Sequence, residues 1–93
     1  MIQSFRSDDV KDVFEGRQPR RFPANLFAAA RRKLLQLDAA AMVEDMRIPP
    51  GNRLEALRGD RAGRWSVRVN YQFRICFTWG PQGPEDVEFV DYH

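Results

Sequence analysis

The chain closes on Asp91, Tyr92 and His93, which set a carboxylate, a phenol and an imidazole side by side at the end of the strand-like run VEFVDYH. His93 is the single histidine. An unperturbed imidazole titrates near pH ~6.5, so it can give or take a proton at neutral pH. Asp91 and a terminal carboxylate would both favour its charged form. The second chemistry-bearing group is guanidinium. Residues 47–79 carry seven arginines (Arg47, Arg53, Arg58, Arg61, Arg64, Arg68 and Arg74) against only Glu55 and Asp60. Arginine outnumbers lysine thirteen to two, and the last fourteen residues hold four acids with no Lys or Arg. Guanidinium presents a planar fork of donors that matches phosphate and stacks on bases. A basic middle segment therefore points to an anionic partner, nucleic acid first. The competing reading is arginine-favouring codons in a GC-rich genome and a solvated charged face.

Such groups act only if something holds them, and chain ends fray unless they are tied down. From Arg64 to Trp79 the odd positions read Trp65, Val67, Val69, Tyr71, Phe73, Ile75, Phe77 and Trp79, and the even ones are mostly polar. This period-2 alternation marks strands with one buried face. The run is too long for one ordinary strand, so a hairpin turning near Asn70 is expected. Keeping odd residues opposite odd ones requires an odd-numbered loop or a bulge. Arg64, Arg68, Gln72 and Arg74 would then share an open face, with Arg74 an exposed strand arginine.

Upstream, MIQSFR reads as a first strand. Ser7 suits a helix N-cap followed by Asp8 and Asp9, and Gly16 ends that helix. Pro23 suits the first turn of a second helix, whose apolar stripe runs Phe27, Ala30, Leu34 and Leu37. PPG at 49–51 breaks the pattern. NRLEALRG at 52–59 supplies the strand before the hairpin, and VEFVDYH the last one. If Val87 and Phe89 face the core, alternation sends Asp91 and His93 to that side and Tyr92 to the open one. The expected fold class is α+β: two N-terminal helices on one face of a mostly antiparallel sheet, in the order β-α-α-β-β-β-β.

Composition bounds the rest. At 93 residues with 43% hydrophobic content, one domain spanning 1–93 with a modest core is expected. The lone Cys76 allows no intrachain disulfide and suits a reducing compartment. No run is long enough for a transmembrane helix, and the acidic residues near the start do not fit a signal peptide, so a cytoplasmic protein without a membrane partner is expected. No Gly-rich phosphate loop, metal-spacing motif or Ser-His-Asp order is present, so neither cofactor nor metal is expected.

The residues also resemble a known family. L-x-G-D-R-x-G-x-W-S at 57–66, N-x-x-F-R-I-x-F at 70–77 and the terminal DYH look like the HigB branch of the RelE-type toxins, or plasmid maintenance killer proteins. With MIQSF and the helix pair, the likeness covers essentially the whole chain. It implies the RelE-like microbial RNase fold and the toxin of a type II toxin-antitoxin system. It further implies a ribosome-dependent, metal-independent endoribonuclease (an mRNA interferase) that cuts mRNA in the ribosomal A site and arrests growth by inhibiting translation. The implied partners are the ribosome, mRNA, a HigA-like helix-turn-helix antitoxin and, through that antitoxin, operator DNA.

In that chemistry a ribose 2′-OH attacks the adjacent phosphate and the 5′-oxygen leaves. It needs a base, charge neutralisation and a proton donor. Arg74, at the family's arginine position, is assigned to the scissile phosphate, since guanidinium does not readily release a proton. Arg58 is a second phosphate contact, and Arg68 and Gln72 complete the RNA-binding set. Protonated His93 serves the leaving oxygen. Tyr92 orients the RNA, stacks or exchanges a proton, and Asp91 orients His93 or Arg74. Some members of the family have a histidine where this chain has Glu55. A carboxylate there could act as general base if desolvated, but could equally repel the phosphate or pair with an arginine. Two other readings stand beside the nuclease. One is a non-cleaving RNA- or ribosome-binding inhibitor; the other is a corepressor acting in complex with its antitoxin.

Overall fold

Ser7 starts the first helix as the sequence predicts. Its backbone is extended and its hydroxyl accepts from the Val10 N–H at 3.5 Å, while Asp8 and Asp9 occupy the first turn of α1 (Asp8–Phe14). There they complement the positive end of the helix dipole. Gly16, at φ +92°, turns the chain away. A 3-10 turn over Ala24–Leu26 follows Pro23 and leads into α2 (Phe27–Ala39). Ala30, Leu34 and Leu37, from the predicted stripe, are buried, and Phe27 packs against the core half-covered. The computed structural model describes residues 1–91.

The second half forms β1 (Glu55–Ala56), β2 (Arg64–Arg68), β3 (Phe73–Gly80) and β4 (Gly83–Asp91), an antiparallel sheet in the order β1-β2-β3-β4. The hairpin turns where expected. Trp65 faces Phe77, Val67 faces Ile75 and Arg68 faces Arg74, so residues of like parity face each other, with the odd-numbered stretch 69–73 between the paired Arg68 and Arg74. Val67, Ile75, Phe77 and Val87 from the sheet meet Val10, Val13, Leu34 and Leu37 from the helices in one core. The α+β class of the sequence reading holds: two helices against an antiparallel sheet.

Four local expectations are corrected. MIQSFR is not a regular strand; only Phe5 bridges, in parallel, to Val87 on β4. Gln3 N–H donates to the Pro84 carbonyl at 2.7 Å and Arg6 N–H to the Val87 carbonyl at 2.8 Å, but Asp86 N–H bonds to the Ser4 hydroxyl rather than to backbone. Asp86 sits in a β4 bulge at φ +51°, and a bulge interrupts any ladder built on it. The strand expected over 52–59 shrinks to two residues because a 3-10 turn, Pro50–Asn52, fills its start.

The face away from the helices is not open either. Ser66, Arg74 and Cys76 are all buried there. Arg64 lies across that face, donating to Thr78 Oγ1 at 3.0 Å, the Asp86 carbonyl at 2.9 Å and Glu88 at 2.7 Å, instead of standing into water. Burial pushes the Cys76 thiol pKa up, with Glu88 adding to the effect. Finally, Tyr71 lies in the hairpin loop and is 82% exposed, off the apolar face to which simple alternation assigned it.

Leu34 is 1% exposed and packs at the centre of the helix–sheet interface. Leu34→Ala is expected to destabilise the fold by about 2–5 kcal/mol, the transfer and cavity cost of a buried leucine. A urea midpoint shift at unchanged slope is the measurement.

Candidate active site

Among the described residues, Arg74 makes three hydrogen bonds. Its Nε donates to Ser66 Oγ at 2.8 Å, and one terminal nitrogen donates to the Arg53 carbonyl at 2.6 Å and to the Ser66 carbonyl at 3.4 Å. Ser66 is on β2, two residue pairs from the Arg68–Arg74 pair. Arg53 is presented by a different device. It adopts the left-handed conformation at φ +47°, immediately after buried Asn52. The Asn52 side chain accepts from Lys33 of α2 and donates to Gln36 of α2 and to the Met46 carbonyl, each at 3.1 Å. Helix, turn and two strands thus converge on one guanidinium, which is 8% exposed. The expectation of an exposed strand arginine is corrected: Arg74 is set into the floor of a hollow.

That hollow has a volume of about 430 Å³ and is lined by Arg53, Leu54, Glu55, Arg68, Asn70, Tyr71 and Arg74. Three guanidinium groups outnumber the one carboxylate, so the field inside favours an anion. Arg68 Nε donates to the Asn70 carbonyl at 3.1 Å. Glu55 also lines an adjoining hollow with Ala56, Leu57 and Arg58, so Arg58 continues the same edge along β1. Glu55 is exposed at the rim of the hollow. The size suits a small ligand or a segment of a larger one, and a few polar groups converge in it.

The predicted residues therefore divide. Arg74, Arg68 and Glu55 meet in one hollow, and Arg58 lies beside it. Gln72 does not line it; its side-chain amide donates to Asp91 at 3.1 Å. Asp91 ends β4 opposite Phe73, on the alternation expected if Val87 and Phe89 face the core. Tyr92 and His93 lie outside the described residues. Among the described residues no group of three or more His, Cys, Asp or Glu side chains could hold a metal ion, and no helix is long and apolar enough to cross a membrane.

Four residues of the site were not singled out from sequence. Arg53 acts through its carbonyl, and Ser66 is a buried polar residue inside a strand, a role no motif announces. Asn70 was read only as a turn residue. Its side chain accepts from Gln72 N–H at 2.9 Å and Phe73 N–H at 2.7 Å, an Asx-type turn that braces the loop. Tyr71 had a signal: it sits beside Asn70 at the expected turn, where strand alternation no longer applies.

Comparison with known proteins agrees with this geometry. Residues 3–93 match the family model described as the RelE-like toxin of type II toxin-antitoxin system HigB. Toxin HigB-1 of Vibrio cholerae serotype O1 is 42% identical over 80 residues, covering 85% of this chain and 84% of the relative. Endoribonuclease HigB of Proteus vulgaris is 29% identical over 93 residues, covering both chains in full. Among solved structures, a YoeB/ParE toxin from Agrobacterium tumefaciens superposes with a TM-score of 0.55 over 99% of this chain and 96% of its own, at 20% identity, a likeness of fold. A family model spanning nearly the whole chain, with a close relative of matching length, places it among the RelE-like HigB toxins of type II toxin-antitoxin systems.

Proposed function

We propose that this toxin is a ribosome-dependent endoribonuclease that cuts mRNA in the A site. The 2′-hydroxyl of one nucleotide gives its proton to Glu55, its oxygen forms a bond to the adjacent phosphorus, and the bond to the 5′-oxygen breaks. The products are a 2′,3′-cyclic phosphate and a 5′-hydroxyl. Arg74 neutralises the charge that gathers on the phosphate, with Arg68 and Arg58 tracking the RNA backbone. His93 gives its proton to the departing 5′-oxygen; Tyr92 and Asp91 orient the reacting groups. The observation that carries the reading is the Arg74 floor. A guanidinium held by Ser66 and Arg53 at the base of an arginine-lined hollow needs little reorganisation as charge develops, the property required of an electrostatic catalyst. The name of the Proteus vulgaris relative, an endoribonuclease, supports the reaction class.

The weak element is the base. Glu55, exposed at the edge of the hollow, offers a negative charge where an RNA phosphate would arrive. We assign the ribosome the task of holding the message in line, so a modest base suffices. Glu55→Gln is then expected to tighten RNA binding roughly two- to tenfold at low salt, the gain shrinking as salt screens the lost repulsion. Fluorescence anisotropy of a labelled RNA oligonucleotide across a salt series checks it.

A type II toxin has an antitoxin partner; we propose that it is a HigA-like helix-turn-helix protein and that the pair binds operator DNA through it. Expression with and without the adjacent open reading frame, scoring growth and transcript 5′ ends together, tests the whole reading. Growth arrest with new ends at codon positions, relieved by the neighbour, is the expected result. Arrest without new ends makes the protein a translation-blocking binder instead.

A further inference from the structure

Tyr71 is the most exposed large apolar side chain of the described residues, at 82%, and it lines the arginine hollow. Its surroundings are unlike those of Phe22, Phe73, Phe77, Trp79 and Phe89. Phe73 stacks on Phe89 with ring centroids 4.8 Å apart, Phe22 packs on Phe89 at 4.6 Å, and Phe77 meets Trp79 at 6.4 Å. Tyr71 makes no such ring pair among the described residues. Yet the loop that carries it is braced. Asn70 Oδ1 accepts two backbone N–H groups, Asn70 N–H donates to the Phe73 carbonyl at 3.3 Å, and Arg68 Nε donates to the Asn70 carbonyl. A ring on an anchored loop, exposed beside three guanidinium groups, contributes little to the core and is prepared for a ligand that is both anionic and flat.

We infer that Tyr71 is a base-stacking platform of the hollow, holding the nucleobase of a nucleotide next to the phosphate that Arg74 engages. This rests on the RNA-cutting reading above and adds a subsite to it. A nucleotide has the two chemistries the hollow offers in sequence: phosphate for the guanidinium groups and a π-face for the ring. Stacking is tolerant of base identity, because every base has such a face. Single-stranded RNA is the form whose bases are free to be splayed onto a protein aromatic. The ring thus fixes how far the strand advances across the floor, and acts as a positioning residue rather than a catalytic one.

The test uses the full chain on ribosomes carrying a defined message, with Tyr71→Ala, Tyr71→Leu, Tyr71→Phe and Tyr71→Trp beside the unaltered toxin. Tyr71 is exposed, so thermal unfolding of all four variants should match the parent. Tyr71→Ala and Tyr71→Leu are expected to raise the apparent KM about 5- to 150-fold, the value of one base–aromatic stack, with Tyr71→Phe and Tyr71→Trp restoring it. Replacing single nucleotides by abasic ribose adds a cycle. One abasic position should weaken the unaltered toxin and have no further effect on Tyr71→Ala, as expected when two changes remove the same contact. Unchanged KM in Tyr71→Ala, while the unaltered toxin cuts, overturns the stacking inference and leaves the nuclease standing. Failure of Tyr71→Phe to restore the KM also overturns it, since the hydroxyl and not the ring would then be at work. If the unaltered toxin cuts no RNA, the proposed function falls and this inference with it.

Discussion

Arg74→Ala is expected to lower cleavage by about 10²–10³-fold, the usual loss when one preorganised charge-stabilising donor is removed. It is also expected to cost stability, because Arg74 and its partner Ser66 are buried. Ser66, which is fully buried, and the Arg53 carbonyl each lose a donor. Leaving such groups unpaired costs about 1–3 kcal/mol. Growth rescue alone therefore cannot be read as lost chemistry, and thermal unfolding must accompany the assay. Arg74→Lys separates the two effects. Lysine keeps the positive charge but presents a compact ammonium in place of the planar fork, so it cannot reach Ser66 and a phosphate together in the same geometry. It should retain more stability than alanine while recovering little cleavage. Wild-type rates from a folded Arg74→Ala protein would remove Arg74 from the reaction.

Truncation after Asp91 is expected to lower cleavage by about 10²–10⁴-fold, the range for a lost general acid or base. The described contacts of β4 with the core stay in the truncated chain. Val87 and Phe89, the β4 residues that pack in or against the core, remain, and Asp91 keeps its pairing with Phe73 and its bond from Gln72. As with Arg74→Ala, activity is read beside a stability measurement on the same protein. The assay is cleavage of a ribosome-bound message by the truncated protein, checked by circular dichroism. Full activity in the truncated chain would remove Tyr92 and His93 from the chemistry and leave proton transfer to other groups.

The helices, the hairpin register and the antiparallel order were legible because each rests on a local pattern: the Ser7 cap, the Ala30–Leu34–Leu37 stripe and the alternation from Arg64 to Trp79. Parity also required an odd number of residues at the turn near Asn70, and residues 69–73, between the paired Arg68 and Arg74, supply it. Where the reading departed from the structure, a long-range partner overrode the pattern. MIQSFR has strand-like residues, but the Asp86 bulge on β4 breaks the ladder they would join. Arg74 alternates onto the polar face as expected. Strand periodicity cannot say that Ser66 and a carbonyl from a preceding turn will enclose it. The sequence reading named Arg74, Arg68 and Glu55 as candidates, and the three line one hollow. It was silent on Arg53 and Ser66, whose contributions are a backbone carbonyl and a tether.

This division has a functional consequence. The groups of the hollow proposed to hold RNA are arginines and an aromatic ring, residue types that advertise themselves in a sequence. The groups that hold them in place are Ser66, Asn52, Asn70 and the backbone of Arg53, which do not. Positioning is what turns an arginine-rich surface into a site, because a guanidinium free to swing would have to be ordered during the reaction.

The central claim is tested most directly by cleavage of one defined message, in purified ribosomes with an empty A site and as free RNA. A single 2′-deoxy substitution is placed at the nucleotide that supplies the nucleophile. The account predicts cutting on the ribosome that leaves a 2′,3′-cyclic phosphate and a 5′-hydroxyl, much slower cutting of free RNA, and none across the deoxy-substituted step. Cleavage that persists through the 2′-deoxy nucleotide, or an intact message after prolonged incubation with folded toxin, would contradict it.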